Sequence, residues 1–152
     1  MSSPDIIHDT QLKHLYAYWD AKRRGRPMPH TGDLALADLG PLLSKILWVE
    51  VEQEPRRYRY RRVGAEFDRI YGFSVHGLYV DEMPGFLHRL IASRAYAEVV
   101  ERREPVCRTL RISMMTWSVK YERLLLPVSS AGERVDFVLG AISPEYGTAK
   151  PA

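Results

Sequence analysis

Period-two alternation falls at two separate places in this chain, and the stretch between them follows a helical period. From Lys45 onward, Leu47, Val49 and Val51 alternate with Ile46, Trp48 and Glu50. Tyr58 to Val63 alternates again after the turn-like Gln53 to Arg56, which contains Pro55. Successive side chains of a strand point to opposite faces, so the pattern predicts two antiparallel strands joined by a short loop. Both faces of the first are largely apolar, which predicts cover on each side. Alternation returns only at Val106–Ile112, Val119–Val128 and Val135–Ser143, the last two divided by Ser129-Ser130-Ala131-Gly132. A chain that places its helices between strands two and three builds one antiparallel sheet with those helices grouped against it. The predicted class is α+β, not doubly wound.

The helical stretches carry their own start and stop signals. Leu12, Leu15, Tyr16 and Trp19 recur at i, i+3, i+4 and i+7 and form one apolar stripe on a helix spanning residues 9–24. Asp9 or Thr10 can cap its amides, Arg23 and Arg24 suit the negative end of its dipole, and Gly25 with Pro27 stops it. Asp33 to Leu43 reads as one or two short helical turns, because Gly40-Pro41 prevents a long element. Ala65 to Tyr71 is a short helix ended by Gly72, where a left-handed residue is wanted. Pro84 sits at the first turn of the longest helix, which runs to about Arg103 and stops before Pro105. Phe86, Leu90, Ser93, Ala97 and Val100 share one side of it, and His88, Ala92, Ala95 and Val99 the adjoining side. Residues 1–8 read as a flexible N-terminus, 9–143 as one domain, and 144–152 as a loose tail.

Composition narrows the classes that this order leaves. The chain has 152 residues, enough for one domain with a sizeable core. Its 22 Lys+Arg against 19 Asp+Glu give +3, too small an excess to demand nucleic acid. A single cysteine, Cys107, excludes an internal disulfide framework, and Met1 to Leu12 has neither the basic nor the apolar region of a secretory leader. The expected home is a reducing cytoplasm. No apolar run approaches the ~18 residues of a membrane span, so no membrane insertion is expected.

The element order, together with Val63-Gly64-Ala65-Glu66-Phe67-Asp68-Arg69-Ile70-Tyr71-Gly72-Phe73-Ser74-Val75-His76-Gly77-Leu78, resembles a PAS sensory domain. More narrowly, the leading helix with Leu15 and Trp19, Arg26-Pro27-Met28-Pro29, Asp33, Tyr58-Arg59-Tyr60-Arg61, and Tyr121-Glu122-Arg123-Leu124-Leu125-Leu126-Pro127-Val128 are similar to the single-domain PAS-like family common in alphaproteobacteria. The resemblance runs from about Leu12 to Ile142. It implies a five-stranded antiparallel sheet whose concave face and helices enclose a small cavity. It also implies pocket-lining roles for Tyr60, Phe67, Tyr71, Met83, Leu90, Tyr121 and Phe137. Domains of this kind bind haem, flavin or small metabolites, form homodimers, or contact signalling proteins such as histidine kinases.

Several local features point to chemistry of their own. Arg56-Arg57-Tyr58-Arg59-Tyr60-Arg61-Arg62 has the basic-aromatic composition of a strand that binds single-stranded nucleic acid, and equally that of a strand laced by Glu50, Glu52 and Glu54. His88 lies near the start of the long helix, which supplies an axial ligand in haem-binding PAS sensors. Light-sensing flavin domains need a cysteine on the short helix between strands two and three, whereas Cys107 falls in a predicted strand; a dark flavin stays open. The stripe Leu12, Leu15, Tyr16 and Trp19 and the second face of the first strand, with Ile46 and Trp48, can bury one another or pair with a second copy of the chain. His8, His14, His30, His76 and His88 make no metal-binding spacing, and no phosphate loop or nucleophile elbow occurs. The expected function is that of a stand-alone, non-enzymatic sensory or adaptor domain with no output domain of its own.

Overall fold

A computed structural model describes residues 6–113 and 118–147. Its elements are α1 (Thr10–Arg23), β1 (Ile46–Glu52), β2 (Arg57–Val63), α2 (Ala65–Tyr71), α3 (Phe86–Arg102), β3 (Val106–Ser113), β4 (Ser118–Val128) and β5 (Phe137–Gly147). Short 3-10 turns at Thr31–Asp33, Leu36–Lys45 and Val80–Glu82 fill the connections. The five strands form one antiparallel sheet in the order β2-β1-β5-β4-β3, with α2 and α3 between β2 and β3 in the chain. This is the predicted α+β arrangement.

Strand register assigns every side chain to a face, because cross-strand partners share one. Leu47 pairs with Gly140 and Val49 with Val138, while Gly140 also pairs with Leu125. The inner face therefore carries Leu47, Val49, Val51, Tyr58 and Tyr60 on one half and Tyr121, Arg123, Leu125 and Ile142 on the other. Gly140 is small for a reason: an added Cβ would lie 2.9 Å from Leu125 Cδ2 and 3.5 Å from Leu47 Cβ. α2 and α3 cover this face, α3 turning Ala92, Ala95, Tyr96 and Val99 inward.

The outer face carries Ile46, Trp48, Leu139, Ala141, Leu124 and Leu126, and α1 lies across β4 and β5 there. Leu12, Leu15 and Trp19 are 0%, 0% and 1% exposed, and Trp19 Nε1 donates to the Pro127 carbonyl at 2.8 Å. The apolar stripe and the second face of β1 thus bury each other within one chain. Leu12, Leu15 and Trp19 keep no surface for a second copy; Tyr16 and Trp48 stay half-buried. Asp9 caps α1 by accepting from the Leu12 amide at 3.0 Å, and Arg24, in the left-handed region at φ 51°, ends it. Beyond it, Arg26 pairs with Asp33 at 2.5 Å, Asp33 also accepts from the His30 amide, and the enclosed Met28 is 0% exposed. This clip fixes the Arg26-Pro27-Met28-Pro29 segment beside the β4–β5 turn, where His30 bridges to Ser129.

Two expectations about the ends need correction. Ile7, within the stretch expected to be flexible, is 1% exposed. The His8 and Asp9 amides donate to the Glu122 carboxylate at 2.8 and 2.7 Å, and Ser143 Oγ donates to Asp9 at 2.6 Å. A buried carboxylate needs donors, and this segment supplies them. At the other end β5 continues through Pro144 to Gly147, inside the expected tail, because β4 begins at Ser118 and Ser118 pairs with Gly147. The remaining residues of both expected tails, 1–5 and 148–152, lie outside the described residues.

Candidate functional site

α2, α3 and the inner sheet face enclose a cavity of about 20 Å³, room for about one water molecule. Phe67, Ile70 and Tyr71 of α2 form one wall, and His88, Ile91, Ala92, Ala95 and Tyr96 of α3 the roof. Leu47, Ile112, Tyr121, Arg123 and Ile142 form the floor. α2 reaches the floor because Gly64 lets the chain pass close to the turn before β1. An added Cβ there would lie 2.3 Å from the Ser44 carbonyl carbon and oxygen, and the Gly64 amide donates to the Ile46 carbonyl at 2.8 Å. Gly72, at φ 79°, then ends α2 as expected.

A chain of phenols runs through the site. Tyr96 donates to the Tyr60 hydroxyl at 3.2 Å, Tyr60 approaches Met83 Sδ at 3.6 Å, and the Tyr60 and Tyr96 rings meet edge to face with centroids 6.0 Å apart. Burial raises the pKa of Tyr60, Tyr71, Tyr96 and Tyr121, pushing Tyr71 up to about 12 and Tyr60 well above its usual value, so each stays a protonated O–H donor. Arg123 enters from β4 with its Nε fully covered and without a hydrogen-bond partner among the described residues. At the mouth, His88 stands edge-on to Tyr71 and Phe73, with centroids 5.1 and 6.0 Å away. Burial holds its pKa below the usual 6.5.

Of the residues expected to line the cavity, Phe67, Tyr71 and Tyr121 do so directly, and Tyr60 and Met83 stand behind Tyr96. Phe137 does not. It pairs with Val128 and Glu50 on the outer face and stacks on Trp48 at 4.8 Å, since one residue of register decides which way a strand side chain points. Leu90 also lies elsewhere, in an outer groove of about 350 Å³ with Arg56, Arg57, Tyr58, Phe86, Arg89 and Ser93. Arg123 and Tyr96 were not picked out from sequence. Tyr96 follows His88 by eight positions and Ala92 by four, a helical repeat that points to the same side.

His88 reaches the cavity, but the space behind it does not fit haem: ligands of drug size and above occupy roughly 300–1,000 Å³. The same disparity applies to flavin. Cys107 lies on the outer face beside Glu122, and burial, reinforced by that carboxylate, pushes its thiol up to about 12, the reverse of a reactive cysteine. The basic strand offers no stacking platform, because Tyr58 and Tyr60 are 8% and 0% exposed. Two of its arginines are engaged within the chain: Arg57 holds Asp81 with two bonds of 2.8 Å and lies 3.6 Å above the Tyr79 ring, and Arg61 holds Glu50. Among the described residues, no group of three or more His, Cys, Asp and Glu could hold a metal, and no helix is long and apolar enough to cross a membrane.

A family model described as a PAS domain matches residues 7–143, in agreement with the sheet order and the enclosed cavity. No curated protein matches the chain.

Proposed function

The chain belongs to the PAS domain family, and from that premise we propose that it is a non-enzymatic sensory or adaptor domain of bacterial signal transduction. It works in the cytoplasm, taking a small ligand into the inner cavity and passing the change to a protein partner. The observation that carries this reading is that α3 is the common wall of two spaces. His88, Ala92, Ala95 and Tyr96 roof the inner cavity, while Phe86, Arg89, Leu90 and Ser93 border the outer groove. Phe86 and Leu87 beside that groove are 72% and 60% exposed, an apolar surface at the end of α3 that moves when α3 moves.

The mechanism follows from the size of the cavity. A space for one water cannot accept a larger molecule without displacing its roof, so occupancy and the position of α3 are linked, and a ligand shifts the population toward the displaced state by its differential affinity. The displaced helix then presents a different groove to a second copy of the chain or to a signalling protein such as a histidine kinase. Native mass spectrometry of freshly purified protein tests the reading. It predicts a dimer, a retained small molecule, or both; a bare monomer that gains no mass with any added metabolite or partner contradicts it.

A further inference from the structure

We propose that the inner cavity takes a small monocarboxylate, held by the Arg123 guanidinium, which makes this chain a sensor of short-chain organic acids. This rests on the ligand-sensing reading above and narrows it to one chemical class. A guanidinium is charged at every physiological pH, and a charge removed from water needs an anion or a full set of acceptors. Arg123 is part-buried, and its Nε, the part of the guanidinium that is covered, has neither here. Its Nε is buried without a hydrogen-bond partner, and among the described residues Arg123 joins no ion pair and no carboxylate lines the cavity. Its neighbour Glu122 cannot serve, since alternation turns that side chain to the outer face, where it binds the His8 and Asp9 amides.

The surroundings select among anions. Nε and one Nη of a guanidinium present two parallel N–H groups, the geometry that matches the two oxygens of a carboxylate. Tyr71 and Tyr121, protonated, line the same space as O–H donors. Ile91, Ile112 and Ile142 supply apolar contact for a short alkyl chain. One cation and a few phenols satisfy a single negative charge; a phosphate dianion would need more donors than line this cavity. The small volume limits the ligand to a few carbons and requires α3 to move as it enters.

The test compares melting temperature and calorimetric binding of the purified full chain with acetate, propionate and butyrate against acetamide, phosphate and chloride at matched ionic strength. The carboxylates should raise the melting temperature in a concentration-dependent way, and the other three should not. Arg123→Met should bind at least tenfold more weakly, yet melt without ligand at or above the wild-type temperature, because a covered donor without a partner, Arg123 Nε, has been removed. If Arg123→Met does not fold, Arg123→Lys, which keeps the charge but loses the two-pronged donor edge, should still weaken binding at least tenfold. Equal stabilisation by chloride or phosphate, carboxylate binding undiminished in the variants, or no carboxylate response in the wild type each overturns the proposal. A response to a neutral molecule alone would overturn the carboxylate assignment while leaving the ligand-sensing reading intact.

Discussion

Replacing Trp19 by alanine removes the anchor that holds α1 to the outer face of the sheet. The indole is 1% exposed, so nearly all of its surface is withdrawn from water on folding. An aromatic side chain of this kind buries 150–250 Å², and at about 25 cal/mol per Å² that is worth roughly 4–6 kcal/mol. Large-to-small aromatic substitutions in cores cost about 3–5 kcal/mol, and the lost hydrogen bond to the Pro127 carbonyl adds about 1 kcal/mol. A total near 5 kcal/mol is a large part of the 5–15 kcal/mol typical of a domain, and at about 2–4 °C per kcal/mol it lowers the melting temperature by roughly 10–20 °C. Thermal and urea unfolding followed by circular dichroism measure this directly. Trp19→Phe, which keeps a ring but not the donor, should fall between the two. A melting temperature within about 2 °C of wild type, with a simultaneous change from dimer to monomer, would contradict burial of the stripe within one chain, because a second chain would then cover it.

Three further outcomes follow from single contacts. Gly64→Ala should cost about 3 kcal/mol or more, since its Cβ would meet the Ser44 backbone at 2.3 Å rather than a side chain able to yield; near-wild-type urea unfolding would contradict the packing of α2. Glu122→Ala leaves the buried-side amides of His8 and Asp9 without their carboxylate and should cost about 2–4 kcal/mol, with faster amide exchange at these two residues. Unchanged exchange there would show that the N-terminal segment is held by something else. His88 has a lowered pKa in the folded chain, so below pH 6.5 the unfolded chain takes up the proton more readily, and stability falls as pH drops through that range. His88→Asn should therefore lose less melting temperature than wild type between pH 7.5 and pH 5.5, two assay values placed about one unit either side of the ordinary histidine pKa; equal losses would mean that His88 is not buried.

Much of the fold was legible because it rests on local periodicity. The two blocks of alternation fixed the helices between β2 and β3, and the stripe of Leu12, Leu15 and Trp19 identified the buried side of α1. What stayed hidden depends on partners far along the chain. Glu122 and Arg123 are neighbours in sequence, yet on a strand they point to opposite faces, one toward the N-terminal segment 113 residues away in sequence and one into the cavity. Phe137 was misplaced for the same reason, since either parity of β5 gives an apolar face. The burial of Ile7 and the extension of β5 to Gly147 are set by Glu122 and by pairing with Ser118, neither of which leaves a local mark.

A small ligand held in the cavity should move α3, and nuclear magnetic resonance reads that movement when acetate is titrated into the isotope-labelled chain against a sodium chloride control. The Arg123 Nε–Hε signal and the amide signals of α3 from His88 to Tyr96 should shift together and saturate at one common acetate concentration. Signals that stay still, or an Arg123 signal that shifts while α3 does not, would contradict it.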